Sequence, residues 1–209
     1  GHSMRRCIPL LLVLLSSAVF AQATVNGPAT AKAGGQVEVT VAGSKNPRDF
    51  VTIVEKGARE GEYGGYEYVT KPGAYKLIAP PKAGDYEIRL CAADSPYPTL
   101  ARRALRIDAV EATVTAPDQV AAGAKFSVQW TGPNNARDYI AIGNATRPYI
   151  GYEYTSRGSP VQLIAPDEPG AYEVRYFLGA GDVMIGKRPS TVGSVSASIT
   201  APQTAPAGS

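Results

Sequence analysis

Residues 36–42 alternate strictly: Val37, Val39 and Val41 are apolar, and Glu38 and Thr40 are polar. Residues 125–131 repeat the pattern, with Phe126, Val128 and Trp130 set against Ser127 and Gln129. A period of two places one face of a strand in a core and the other in water. Phe50–Val54 and Tyr139–Ile142 are almost continuously apolar, as a central strand covered on both faces would be. Tyr75 with Leu77, and Val161 with Leu163, each precede an Ala-Pro pair. Tyr86, Ile88 and Leu90 then face away from Glu87 and Arg89, and Tyr172, Val174 and Tyr176 face away from Glu173 and Arg175. Leu105 and Ile107 close the first series, and Val192 with Val195 closes the second. Gly, Pro and Asn at 43–47 and 132–135 supply the backbone angles of turns. No window carries a sustained helical stripe. The pattern predicts about seven short strands in each half of the chain, an all-β sandwich built twice.

The two halves are copies. Arg48-Asp49-Phe50 matches Arg137-Asp138-Tyr139 at an offset of 89. Tyr66-Glu67-Tyr68 matches Tyr152-Glu153-Tyr154 at 86, as do Ile78-Ala79-Pro80 and Ile164-Ala165-Pro166. Three residues are therefore missing before Tyr149, and an indel confined to one place marks a surface loop. Residues 55–62 against 143–148 are expected to be the one place where the copies differ in length. The first loop is charged through Glu55, Lys56, Arg59, Glu60 and Glu62, and the second carries Arg147 alone. Gly84-Asp85-Tyr86 and Gly170-Ala171-Tyr172 open the penultimate strand of each copy. A tyrosine there can bury its ring and return its hydroxyl to upstream backbone, the tyrosine corner of immunoglobulin-like sandwiches. Ile88 and Val174 stand where antibody domains hold a cysteine.

Residues 1–3 read as an expression scar, and residues 4–21 as a signal peptide. Arg5-Arg6 form its basic start, Ile8–Leu15 its apolar stretch, and Ala21 its cleavage position. The apolar stretch is too short to span a membrane, so no integral membrane segment is expected after cleavage. Residues 22–108 form the first immunoglobulin-like repeat and residues 112–195 the second, with a short, semi-rigid link between them. Residues 198–209 resemble 113–124 and read as the start of a third repeat or a disordered tail. The chain is expected to be exported, to the periplasm, the cell surface or the extracellular space.

The second copy resembles a known family. Ala116-Pro117, Gly123, Trp130-Thr131-Gly132-Pro133, Asp138-Tyr139-Ile140, Tyr152 and Tyr154 carry the likeness, followed by Leu163, Ala165-Pro166 and the run from Pro169 to Tyr176. These resemble the repeats of secreted bacterial von Willebrand factor A-domain-associated envelope proteins. A fainter likeness is to SKICH domains, which are also immunoglobulin-like. The first copy matches less well, since Val41 stands at the place of Trp130. The D-x-S-x-S metal motif of an A domain does not occur, so the resemblance implies fold and location rather than ion-dependent adhesion.

Charge and composition narrow the chemistry. The chain has 21 basic and 18 acidic residues, and loss of Arg5 and Arg6 with the leader leaves it near neutrality. Nucleic-acid binding asks for a clustered basic face and is not expected. The one histidine, His2, lies in the scar, which excludes a Ser–His catalytic pair from the exported chain. Cys91 then has neither a disulfide partner nor a histidine to activate it, and is read as a partly exposed, inert thiol. No His/Cys cluster suits zinc, and Asp167-Glu168 reads as a solvated turn rather than a calcium site. Neither an enzyme nor a cofactor is expected. Arg48-Asp49 and Arg137-Asp138 recur at a strand start, where an aspartate can accept backbone N–H groups and organise the preceding turn. Asn144-Ala145-Thr146 fits a glycosylation acceptor pattern, but the bacterial resemblance argues against that reading.

The tyrosines stand out: twelve, against four phenylalanines and one tryptophan. Tyr63, Tyr66 and Tyr68 follow the first variable loop, and Tyr149, Tyr152 and Tyr154 the second. The preferred reading packs them in the core with hydroxyls at the rim. The alternative is an exposed amphipathic platform, because tyrosine offers large contact area at low entropic cost. With Arg59 and Arg147 from the loops, these six form the candidate interaction surface. The expected function is that of a non-catalytic protein-interaction or spacer module, with an unknown protein or glycan as partner. A carbohydrate-binding module is the first alternative and a small hydrolase the second.

Overall fold

Strands form where the sequence alternates or runs apolar, and among the described residues they pair only within their own copy. The computed structural model describes residues 22–194. The first repeat holds β1 (Thr24–Asn26), β2 (Thr30–Lys32), β3 (Gln36–Ala42), β4 (Phe50–Glu55), β5 (Tyr66–Tyr68), β6 (Gly73–Ile78), β7 (Gly84–Cys91) and β8 (Thr99–Asp108). The second holds β9 (Thr113–Thr115), β10 (Gln119–Ala121), β11 (Lys125–Thr131), β12 (Tyr139–Gly143), β13 (Gly151–Tyr154), β14 (Val161–Ile164), β15 (Gly170–Leu178) and β16 (Val183–Gly193). Each repeat is a sandwich of a three-stranded and a five-stranded sheet. The orders are β1-β3-β6 with β2-β8-β7-β4-β5, and β9-β11-β14 with β10-β16-β15-β12-β13. Among the described residues only β2/β8 and β10/β16 pair in parallel. The expected signal peptide and the start of a third repeat lie outside the described residues, as does Val195. Among the described residues no helix is long and apolar enough to cross a membrane.

The core sits between the two sheets. Val37, Val39, Val51, Ile53, Leu77, Ile88, Leu90 and Ile107 fill it in the first repeat, and Phe126, Val128, Ile140, Ile142, Leu163, Val174 and Val192 in the second. Each such aliphatic side chain contributes roughly 1.5–3 kcal/mol by leaving water. Both tyrosine corners are formed. Tyr86 Oη donates to the carbonyl of Lys82 at 2.7 Å, and Tyr172 Oη donates to that of Glu168 at 2.7 Å. In the link, Val110 and Ala112 pack against the core.

Three expectations change. Val41 and Trp130 hold the same register, opposite Val25 and Val114, but only Val41 is fully buried. Trp130 lies at the core's rim, where its Nε1–H donates to Gly158 O at 2.9 Å and its ring meets Tyr176 at 5.8 Å. An indole carries a donor that needs a partner, and the rim supplies one. Second, the variable loop is not the one difference in length. The β7–β8 connection spans 92–98 and the β15–β16 connection 179–182. The offset is 86 at Tyr86 and Tyr172 but 85 at their cross-strand partners, Leu105 and Ser190. Third, the outer face of β7 and β15 is not open to water: Arg89 is 1% exposed and Arg175 8%.

Replacing Tyr172 by Phe keeps the ring and deletes one corner hydrogen bond, which should lower stability by about 0.5–1.5 kcal/mol in urea unfolding. Trp130→Ala should cost less than the roughly 3–5 kcal/mol of a fully buried aromatic, because the ring is partly solvated already.

Candidate functional site

The outer face of each five-stranded sheet carries a small apolar floor of its own. In the second repeat Tyr139, Ala141 and Phe177 form a buried cluster apart from the main core. Tyr139 lies opposite Phe177 on one side and Tyr154 on the other, and its ring stacks on Phe177 at 5.0 Å. The first repeat places Phe50 between Cys91 and Tyr68 in the same way. Both floors follow a break in the strand register, between Leu90 and Cys91 and between Tyr176 and Phe177.

A buried aspartate ties the loops that flank each floor. Asp49 accepts from Ala93 N–H at 3.0 Å and from Ser44 Oγ–H at 2.8 Å. Asp138 accepts from Gly179 N–H at 2.8 Å, Asn135 N–H at 2.9 Å and Tyr176 Oη–H at 2.7 Å. The strand-start aspartates therefore organise their turns as the sequence suggests, and also reach the next connection. Burial foremost, and then the bond to Asp138, pushes the Tyr176 hydroxyl well above the usual tyrosine range.

A buried arginine holds the variable loop. Arg89 donates to the carbonyls of Ala58 at 2.7 Å and Arg59 at 3.1 Å, and pairs with Glu87 at 2.7 Å. Arg175 donates to Pro148 O at 2.9 Å and Asn144 O at 3.2 Å, and pairs with Glu173 at 3.0 Å. Each guanidinium thus meets loop carbonyls on one side and a carboxylate on the other. The bond from Arg175 pulls the Glu173 carboxyl below the ordinary range, against the opposing effect of burial. The longer first loop is tied again by Glu60, which accepts from Thr99 N–H at 2.9 Å and from Arg102 at 2.5 Å. Those bonds, Thr99's foremost, lower its pKa to about 2. Thr52 on the floor serves the same loop, accepting from Gly64 N–H and donating to Gly65 O, both at 3.0 Å. Its counterpart Ala141 needs no such partner. In the shorter second loop Gly143 lies so close to the carbonyls of Arg147 and Pro148 that no larger residue fits. Asn144 closes this loop, its Oδ1 accepting from the N–H groups of Thr146 and Arg147 at 3.1 and 2.8 Å.

Over these floors stand the tyrosines, and they are exposed rather than packed in the core. Tyr63 is 52% exposed, Tyr66 44% and Tyr68 41%, against 51%, 53% and 38% for Tyr149, Tyr152 and Tyr154. The strand alternation does put Tyr66 and Tyr68 on one face, but it is the outer one. Phe50 supports Tyr63 and Tyr66 at 5.7 and 5.5 Å, and Tyr139 supports Tyr149 and Tyr152 at 6.2 and 5.7 Å. Tyr66 meets Tyr68 at 5.3 Å, and Tyr152 meets Tyr154 at 5.6 Å. The exposed rings are tilted against one another by 72–87°.

A cleft opens among these rings in each repeat, and its walls correspond position by position. Arg48, Phe50, Tyr63, Tyr66 and Tyr68 in the first match Arg137, Tyr139, Tyr149, Tyr152 and Tyr154 in the second. Ala93 matches Gly179, and Tyr97 matches Asp182. The volumes are about 70 Å³ in the first and about 190 Å³ in the second. Three wall residues, Tyr97, Arg137 and Asp182, hold positive φ of 57°, 72° and 51°, a conformation that costs energy outside glycine and collects at functional sites. Asp182 accepts from Tyr139 Oη–H at 3.0 Å. Burial first, and then this bond, pushes the Tyr139 hydroxyl far above its ordinary value. Arg59 and Arg147 lie outside the clefts, in broad depressions beside their loops. Cys91 is fully buried in the floor rather than partly exposed, and burial pushes its thiol up, away from reactivity. Sequence reasoning missed Tyr97, Asp182, Arg89 and Arg175 as parts of this site. The recurrence of Arg89 as Arg175 was the available signal for the anchors; Tyr97 and Asp182 differ in type and sit in connections of unequal length.

No family model and no curated protein matches the chain. Among solved structures it is similar to the Bacteroides ovatus mixed-linkage glucan utilization locus SGBP-B in complex with a mixed-linkage heptasaccharide. The identity is 13%, the TM-score 0.27, and the match covers 79% of this chain and 44% of that one, so this chain spans less than half of it. It is also similar to the human OSCAR ligand-binding domain, at 13% identity and a TM-score of 0.31, over 83% of this chain and 99% of that one. At such TM-scores neither likeness carries an argument about this chain.

Arg89→Met removes a buried donor and strands two loop carbonyls, while Glu87 keeps Arg102 at 3.6 Å. It should cost at least about 1–3 kcal/mol in urea unfolding and raise amide exchange across residues 56–65. The Tyr139 phenol has a raised folded-state pKa. Its contribution to stability is therefore whole below the unfolded value, about pH 10, and is lost as pH climbs from there toward the folded value. Denaturant melts between pH 8 and 11.5 should show that decline, and Tyr139→Phe should make it shallower.

Proposed function

We propose that this chain is a non-catalytic, exported binding protein whose tandem immunoglobulin-like repeats each present a tyrosine cleft to a protein partner. We further propose that its repeats are of the kind found in secreted bacterial von Willebrand factor A-domain-associated envelope proteins. One observation carries the binding reading: the same cleft is built twice, with exposed aromatic walls over a buried floor. Exposed tyrosines on a rigid frame are the residues that dominate protein interfaces. The frame is rigid because each wall is tied down by the buried aspartate, the buried arginine or the floor ring.

The glycan reading rests on the same exposed rings, but a sugar chain stacks best on coplanar ones, and here they stand at steep angles. The hydrolase reading asks for a carboxyl held protonated near neutral pH. The carboxyls whose pKa is displaced, Glu60 and Glu173, are both displaced downward.

The test is a binding screen of secreted proteins and envelope glycans against the whole chain, followed by two variants. Tyr66→Ala with Tyr68→Ala, or Tyr152→Ala with Tyr154→Ala, should weaken capture by about 30-fold or more if these are hot-spot residues. Exchanging residues 56–65 with 144–150 should alter affinity or move the preference from one repeat to the other. A partner that keeps both affinity and preferred repeat through these changes binds elsewhere, and the reading fails.

A further inference from the structure

The two clefts share a frame but differ in charge. In the first, Arg48 holds its guanidinium over the ring of Tyr68, 5.6 Å from the centroid, within the range of a cation–π contact. Tyr97 packs on Phe50 at 5.6 Å and on Tyr63 at 5.9 Å, and Tyr63 closes on Tyr66 at 5.6 Å. This cleft is narrowed by its own aromatic side chains and occupied by its own cation. The second cleft is the vacated version. Arg137, at φ 72°, lines it without covering a ring. Tyr149 and Tyr152 both rest on Tyr139, at 6.2 and 5.7 Å. Asp182 replaces Tyr97, which removes a ring from the wall and adds a carboxylate.

Resting on the binding reading above, we propose that the second cleft receives the cationic side chain of a partner protein, an arginine or a lysine. The partner's charge would take the place that Arg48 takes in the first repeat, over the face of Tyr154, with the Asp182 carboxylate as its counter-ion. The first repeat shows that this frame holds a guanidinium on that ring. The second supplies the extra volume and the negative charge that an outside cation needs. Arg137 opposes it with a like charge at the rim, so removing Arg137 should help rather than hurt.

The probes are N-acetyl-arginine amide and N-acetyl-lysine amide, titrated into the whole chain and followed by residue-resolved amide NMR. N-acetyl-alanine amide and cellobiose serve as neutral controls. One or both cations should shift the signals of Tyr152, Tyr154 and Asp182 saturably, and leave Tyr66 and Tyr68 unmoved. Asp182→Asn keeps a residue that tolerates positive φ and should weaken binding at least threefold. Arg137→Asn should strengthen it. Tyr97→Asp should confer a cation response on the first repeat. Three outcomes would overturn the proposal: neutral probes that shift the same signals as strongly as the cations, Asp182→Asn leaving the cation affinity unchanged, or neither cation binding at all. If neither cation binds while the Tyr152/Tyr154 variant still loses its partner, the cation assignment alone falls. If that variant keeps its partner, the binding reading falls as well.

Discussion

Arg89 and Arg175 lie near the middle of an outer sheet face, where a guanidinium is costly unless its donors are met. Each is met from two sides, by backbone carbonyls of the variable loop and by a glutamate two residues earlier on its own strand; Arg89 bonds through Nε as well, whereas the buried Nε–H of Arg175 has no partner. That need binds the loop down onto the sheet. Once the loop lies there, the floor beneath it is dry, and the tyrosines that follow the loop have a surface to stand on. A charged residue on a strand's apparent solvent face is thus what keeps that face from being solvated. The change of loop length between the copies leaves the arrangement intact, because carbonyls from any residue will serve.

The aspartates at the strand starts do complementary work. Each brings the turn before its strand within hydrogen-bond distance of the connection after β7 or β15, and so sets the far wall of the cleft. With both walls fixed, variation is confined to what projects between them. Tyr97 and Asp182 occupy the same backbone position in the same left-handed conformation, yet one fills the cleft and the other opens it and charges it. A repeated frame that changes at its tips gives two clefts with the same supports but different volumes and wall residues. A sandwich suits this, since its core residues face the other way and do not feel the change.

Much of this fold was legible in the amino-acid sequence by itself. Val37, Val39 and Val41 announce a half-buried strand by their period alone, and Tyr86 and Tyr172 announce their corners by position. The offset of 86 to 89 residues declares two copies of one domain, because a repeated pattern of buried positions needs no knowledge of what they pack against. The strand-start aspartates and the variable loop were visible for the same reason: both are local. Tertiary structure decided the rest. Whether Tyr66 and Tyr68 face the core or water depends on which side of β5 meets the other sheet, and an alternating pattern is symmetric under that choice. Arg89 looked solvent-facing because nothing in its own strand reveals a loop from 30 residues earlier lying over it. Tyr97 and Asp182 became equivalent only through the pairing of β7 with β8 and of β15 with β16, since their connections differ in length and the two residues differ in type. The cleft belongs to contacts between distant segments, and those are set by the packed chain rather than by any one stretch of it.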